Sequence, residues 1–561
     1  MATHTVYDLK SVKLPYLSGT FLKVFVALLE GPLGGLLLPS LLQNAGVTRL
    51  RRLHFDEAPT NFPLHVVGAP APAAAAIPEA EWPARASHGP GFRFASAWDY
   101  TAAYRSGTLS PEDVARQVLD AIVSSDAADP PLRAMIAVKS EEVLRLAHES
   151  AQRYREGRPW GPLDGVPVAV KDELDMTPYP TTVGTAFLGK TPATEDATAV
   201  ARFRAAGALL IGKANMHEIG IGVTGLNPHY GTARNPYNPA HYTGGSSSGA
   251  AAAVAAGLCP IAIGADGGGS IRIPAAFCGV VGLKPTYGRV SEFGAAPLDW
   301  SIAHIGPLAA SVADAVLGYA VMAGPDPRDA LSLFQPLPTL DGWDAAEVQG
   351  LRMGVFWPWF RHATAEVVAA CEALLAQFEG LGAEVHEIVI PDLEAARVAH
   401  LVTIASEMAQ AMDQFHAEHH REHGLDVRLN LSLARRFTAL DYLKAQRVRT
   451  RLSAHFQRAF ETVDVIVTPA TALAAPLIPA TALPEGDSDL TTLTEIMRFV
   501  TPANLTGLPA IAFPAGYTPE GLPVGMQAIG RAWDEVTLLR LALVAERLVE
   551  RQAPRVHYRL L

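Results

Sequence analysis

Tyr242-Thr-Gly-Gly-Ser-Ser-Ser-Gly-Ala250 and Ala265-Asp-Gly-Gly-Gly-Ser-Ile-Arg-Ile-Pro274 bracket a segment, Ala250 to Ile263, that carries no charge. Glycine takes positive φ freely and puts no side chain between the backbone and a ligand, so both turns can bring main-chain N–H groups close to a bound molecule. Donors converging beside a hydroxyl are what an oxyanion hole next to a nucleophile requires. From the glycines alone, Ser270 reads equally as such a nucleophile, as a turn residue or as part of a phosphate cradle.

Working outward, Leu163-Asp-Gly-Val-Pro-Val-Ala-Val170 is a short buried strand that ends on Lys171-Asp172. A lysine at the end of an apolar strand is either a surface cap or a buried base, and burial is what frees an amine for base work. Ser110-Pro-Glu-Asp predicts a helix start, with a capping hydroxyl, proline at the first position and acids at the positive end of the dipole. Glu141 to Glu156 and Ala197 to Ala206 read as helices and Ala208 to Ile211 as a strand, followed by a long Gly/Asn/Pro loop that leads to Gly244. Helices then alternate with short apolar runs to about Val321, an α/β pattern around one sheet. Pro325 to Pro338 reads as a linker, Ala365 to Val463 as mainly helical, Asp464 to Pro469 and Leu508 to Pro514 as strands, and Glu535 to Glu550 as a closing helix.

The two Gly/Ser stretches, with Cys278-Gly-Val-Val-Gly-Leu-Lys-Pro-Thr-Tyr-Gly-Arg289 following them, resemble the signature of the amidase signature family. The resemblance extends from about Phe94 to the C-terminus. It implies an α/β fold with one central mixed, twisted β-sheet flanked by helices on both faces, and a serine amide hydrolase. It implies Ser270 as nucleophile, Lys171 as base and Ser246, after a cis peptide bond from Gly245, as the relay between them. The N–H groups of Gly267, Gly268, Gly269 and Ser270 would hold the oxyanion. Ser247, Asp266 and Arg272 would brace the loop from behind. Many relatives carry Ser or Thr where Ala265 stands, so one bracing hydroxyl is missing from this chain.

Three other readings are set aside on sequence grounds. Gly184-Thr-Ala-Phe-Leu-Gly-Lys-Thr191 spells a phosphate loop, but prolines precede and follow it where a strand and a helix are needed. Gly245-Ser-Ser-Ser-Gly249 spells a nucleophile elbow centred on Ser247, but Asn235-Pro-Tyr-Asn-Pro-Ala before it is expected not to form the required strand. His217, His229, His241 and His304 raise the possibility of a Ser-His-Asp triad; His304 is read as a structural histidine.

Toward the N-terminus, residues 1–54 form an apolar leader, 55–91 a Pro/Ala-rich extended arm, and 92–561 the catalytic domain. Phe21 to Leu29 and Leu36 to Leu42 are apolar runs broken at Glu30-Gly-Pro, each too short to span a bilayer. Residues 11–45 read as a helical pair packed on the main domain, as a homodimer contact, or as a membrane-surface and lipid-entry element. Lys13-Leu-Pro-Tyr-Leu-Ser-Gly-Thr, Leu28-Leu-Glu-Gly-Pro-Leu and Phe92-Arg-Phe resemble the leader of the plant-type fatty acid amide hydrolases, a branch of the same family. That resemblance implies a lipid-like N-acyl amide substrate such as an N-acylethanolamine. A small-amide or aryl acylamidase, or a protein like the subunits of glutamyl-tRNA amidotransferases, are the alternatives.

The formal net charge of −11 and the lack of a dense Lys/Arg block argue against a nucleic-acid partner. Cys259, Cys278 and Cys371 show no metal-ligand pairing and no disulfide framework, so no metal or cofactor is expected. Asp8 precedes the first apolar run and no small-residue cleavage site follows, which points to a cytoplasmic protein, peripheral at the inner face of a membrane if the leader binds one, and not secreted.

Overall fold

The computed structural model describes residues 6–63, 77 and 82–561. Much of the expected arm at 55–91 therefore lies outside the described residues.

Eleven strands build one sheet. In chain order they are β1 (Met135–Ala137), β2 (Pro167–Lys171), β3 (Leu209–Ala214), β4 (Ile261–Ala265), β5 (Val281–Lys284), β6 (Ile305–Ala309), β7 (Arg352–Val355), β8 (Glu384–Glu387), β9 (Val465–Pro469), β10 (Ala510–Tyr517) and β11 (Pro523–Gly530). Their spatial order is β8-β7-β9-β11-β10-β5-β6-β4-β2-β3-β1, with parallel and antiparallel neighbours mixed. β2 and β4 are fully buried, as their unbroken apolar runs demand, and they pair in parallel, Val168 opposite Ile261 and Val170 opposite Ile263. Their C-terminal ends therefore emerge side by side. That places Lys171 next to the glycine turn after Ala265, at the edge where α/β sheets collect ligands.

The helices follow their local signals. Ser110 caps a helix over Pro111–Ala127 in a reciprocal capping box with Asp113. Ser248–Ala255 forms a helix with every residue buried, which its small uncharged side chains permit. The apolar leader forms α1 (Gly19–Glu30) and α2 (Gly34–Asn44), bent by 109° at the Gly-Pro break. Among the described residues no single helix is long and apolar enough to cross a membrane. Leu22, Val26 and Leu29 of α1 bury against Leu425 and Leu429 of a helix over Leu425–Ala434. Leu17–Ser18 pairs antiparallel with Asp487–Ser488 and pins the leader to the C-terminal half.

One local expectation needs correction, and others gain detail. Asn238–Tyr242 does form a strand despite Pro239, because it lies in a two-stranded ribbon with Arg234–Asn235 apart from the main sheet, with one further bridge from His241 to Leu477. The linker at Pro325 to Pro338 contains a single helical turn, Ala330–Leu333. β8 lies within the mainly helical segment, and β11, which follows the turn at Gly521, is an interior strand with no counterpart among the expected elements.

Candidate active site

Lys171 is 1% exposed at the end of β2, and its Nζ donates to Ser246 Oγ at 2.8 Å and to the Ala265 carbonyl at 3.2 Å. Glu173 Oε2 lies 2.7 Å from the same nitrogen. The Gly245–Ser246 peptide bond is cis. The Ser246 carbonyl accepts from the His217 N–H at 3.1 Å, and Ser247 donates its N–H to the Ser270 carbonyl at 3.3 Å, so the two small-residue turns are stitched together. Ser270 follows the glycines, is 4% exposed, and its hydroxyl has no hydrogen-bond partner among the described residues.

The loop from Asp266 to Ser270 is held by one carboxylate. Asp266 accepts from the Gly269 N–H at 2.6 Å, the Ile271 N–H at 3.1 Å, Arg272 Nε and Nη2 at 3.0 Å each, and Asn504 Nδ2 at 3.0 Å. Burial pushes this carboxyl up, but the Arg272 charge and these bonds outweigh it and hold it well below the usual range. Arg272, with no exposed side-chain surface, also reaches Gln527 Oε1 at 2.5 Å and Asn504 Oδ1 at 2.6 Å. The Gly269 N–H is thus already donated, which removes it from the expected oxyanion donors. The N–H groups of Gly267, Gly268 and Ser270 have no acceptor among the described residues.

The glycines are required by space as well as by chemistry. Gly269 has φ +108°, where a side chain is strained, and a Cβ on Gly267 would sit 1.7 Å from Asp299 Oδ2. Burial, then the carboxylates of Glu173 and Glu407, push the Asp299 carboxyl well above its ordinary range against the pull of Lys171. His400 donates to the Gly267 carbonyl from Nε2 at 2.8 Å, and burial lowers its pKa to about 4, so it stays neutral in that bond.

Ser247 Oγ donates to the Ala265 carbonyl at 3.1 Å from the position that caps the buried helix Ser248–Ala255, which commits its hydroxyl to the scaffold. The strand before it does not make it an elbow nucleophile, since that strand lies outside the main sheet. His304 bonds through Nδ1 to the Ile302 carbonyl at 2.7 Å, and burial keeps it neutral. Neither of its ring nitrogens bonds Ser270. The Gly184 to Thr191 segment is a turn with no strand leading into it.

Glu173, Asp299, His400, Asn504 and Gln527 were not anticipated. Glu173 stood two residues from Lys171, where the turn after β2 swings it back; the others come from segments remote in sequence and carry no local signal.

An apolar cavity of about 160 Å³ opens on Ser270 and Gly268. Leu393, Arg397, Leu401 and Ile404, one stripe of a helix over Leu393–Ala411, line it, as do Leu9, Val12, Leu14 and Leu41 of the leader. The arrangement offers a buried amine, a hydroxyl bonded to it, a second free hydroxyl and three free N–H groups beside an apolar channel. Those are the parts of acyl transfer through a serine.

A family model described as Amidase matches residues 116–539. The chain is 41% identical to a fatty acid amide hydrolase of Medicago truncatula, over 97% of this chain and 94% of the relative. It is 36% identical to a glutamyl-tRNA(Gln) amidotransferase subunit of Synechococcus sp. (strain CC9605), over 80% of this chain and 94% of that one. A solved structure of a vestigial protein complex bearing on the origins of an s-triazine catabolic enzyme superposes with a TM-score of 0.74 at 32% identity, covering 80% of this chain and 98% of the other.

Proposed function

The chain belongs to the amidase family of amide hydrolases, and from that premise we propose that it cleaves N-acyl amides with long apolar acyl chains, of the fatty acid amide or N-acylethanolamine kind, to free acid and amine. The observation that carries the lipid-like substrate is the apolar cavity that leads from Ser270 to the leader. The similarity to the fatty acid amide hydrolase spans 97% of the chain and so takes in most of that leader, whereas similarity to the amidotransferase protein spans 80%.

In this reading Ser270 Oγ attacks the amide carbonyl as its proton passes through Ser246 Oγ to Lys171 Nζ. The carbonyl oxygen, now negative, is met by the N–H groups of Gly267, Gly268 and Ser270. The proton returns by the same relay to the leaving nitrogen, the C–N bond breaks, and an acyl-enzyme remains. Water then enters, loses its proton to the relay and releases the acid.

The leader supplies a surface as well as a wall. Phe21 is 80% and Leu36 77% exposed, while the opposite face of α1 is buried, so the outward apolar face needs another cover. Lys10 and Lys13 lie exposed in the same segment, which suits an anionic lipid surface. We place the enzyme in the cytoplasm, docked on the inner face of a membrane through residues 11–45; a homodimer contact would cover the same face.

The test is hydrolysis of N-acylethanolamines of increasing chain length beside a short aliphatic amide and an anilide. Preference rising with chain length is expected. A flat profile or a short-amide preference would leave the serine chemistry and return the enzyme to a small-amide or aryl acylamidase.

A further inference from the structure

A second, smaller cavity of about 70 Å³ shares Val223, Asn430, Leu490 and Leu493 with the apolar channel and differs from it in chemistry. Its walls bring together Asp426, Asp487 and Asp489 and contain no lysine or arginine among the described residues. His217, also in the wall, binds Asp426 Oδ2 through Nε2 at 2.9 Å, so one of the three carboxylates is partnered. Asp489 accepts the Thr492 N–H at 3.0 Å as a helix cap. Asp487 is 8% exposed, and no basic group pairs with it among the described residues.

Two further polar groups on residues of this wall have no hydrogen-bond partner among the described residues: the Nδ1 of His217 and the hydroxyl of Tyr242, each on a residue 3% exposed. Buried polar atoms in folded proteins are almost always satisfied, so orphans lining a cavity mark a place where something polar is bound. A buried carboxylate without a basic partner, as Asp487 is here, asks for a cation.

The cavity also touches the chemistry. The His217 N–H holds the Ser246 carbonyl at 3.1 Å, and the Val223 backbone lies against Gly245. A substrate with its acyl chain in the apolar channel has its amine half to place elsewhere, and this branch adjoins the relay serine.

We propose that this acidic cavity is the subsite for the amine half of the substrate, and that it selects amines carrying a second, protonated nitrogen, as in mono-N-acyl diamines of the diaminoalkane type. The proposal rests on the amide-hydrolase reading above and sharpens its substrate class.

The experiment compares three amides of one acyl chain, N-dodecanoyl-ethanolamine, N-dodecanoyl-1,4-diaminobutane and N-dodecanoyl-glycine, with the full chain and its Asp487→Asn and Asp489→Asn variants. The cationic-to-neutral ratio of kcat/KM within each protein does not depend on how much of it is folded. The expected result is a preference for the diamine amide of about tenfold, with the glycine conjugate poorest and the preference reduced toward unity in Asp487→Asn. Equal ratios in the wild type and both variants, or an ethanolamide preference, would overturn the subsite and leave the hydrolase standing.

Calorimetric binding of free 1,4-diaminobutane at pH 7.5 reads the site without turnover. Binding that is lost in Asp487→Asn while no amide is cleaved would keep the subsite and sink the hydrolase reading. Absence of binding in the wild type would overturn the subsite whatever is cleaved.

Discussion

Lys171 Nζ is held between Ser246 Oγ at 2.8 Å and Glu173 Oε2 at 2.7 Å, with all three side chains buried. A flexible four-carbon stem is thereby fixed on Ser246, and in the proposed mechanism the carboxylate offers a place for the ammonium proton when the amine accepts one from Ser246. On that mechanism Glu173 is a positioning residue for Lys171. Glu173→Gln preserves shape and should lower kcat by about 10- to 100-fold with KM little changed. Glu173→Asp should recover part of the loss, and the pH–rate profile should move in Gln but not in Asp. A pure rise in KM would show that Glu173 only shapes the pocket.

Ser270→Ala should abolish turnover, by about 10⁴-fold or more, with the fold intact, since its hydroxyl bonds nothing that holds the loop. His304→Ala should leave the rate of folded enzyme close to the wild type. Its ring serves the Ile302 carbonyl and packs edge-on to Tyr287 at 5.5 Å, so the change should appear in thermal unfolding. A His304 variant as dead as Ser270→Ala would reinstate a histidine base.

The glycine loop depends on one buried ion pair. Arg272→Met leaves Asp266 charged and uncompensated, which should cost about 3–5 kcal/mol in denaturant unfolding. Asn504→Ala removes weaker bonds and should cost about 1–2 kcal/mol while lowering kcat, because the donors of Gly267 and Gly268 lose their frame. Asp266 has its pKa depressed, so its stabilisation is present above the ordinary carboxylate pKa and is lost only as pH falls through the lower native value. Stability attributable to this pair should therefore be flat from about pH 5 to 8.

What the sequence made legible was what local chemistry decides. Gly269 at φ +108° and Ser110 with Asp113 are set by neighbours within a few residues, and the run before Lys171 could only be a buried strand. Pro239 misled because proline is excluded from sheet interiors but not from a two-stranded ribbon. Gln527 and Asn504 reach Arg272 from more than 200 positions away, and no periodicity announces such partners. The donated N–H of Gly269 was invisible for a related reason: a glycine run shows that donors exist and not which are already taken.

Deleting residues 1–45 should reduce hydrolysis of long-chain amides several-fold more than that of short ones, because Leu9, Val12, Leu14 and Leu41 line the channel. Phe21→Asp with Leu36→Asp leaves that lining in place and alters exposed positions alone, so folding should be unaffected. Loss of binding to anionic phospholipid vesicles in the double variant would establish membrane docking. Unchanged vesicle binding with a change of oligomeric state by light scattering would make the face a dimer contact.

Asp487 gives a pH test of the acidic cavity. Burial, then the charges of Asp426 and Asp489, raise its pKa to about 6 from 3.8, against smaller opposing effects of Tyr16 and His217. A carboxyl raised in the native state contributes its stability below the unfolded pKa and loses it as pH rises through the native one. At pH 8 the empty wild type should therefore carry a penalty of about 3 kcal/mol that Asp487→Asn lacks, and near pH 4 the two should converge. Adding 1,4-diaminobutane at pH 8 should raise the wild-type Tm and leave the variant unmoved, because the cation offsets a charge that only the wild type has. A gap between the two proteins that is constant across this range would mean that Asp487 is ionised throughout and that its charge is already compensated within the fold.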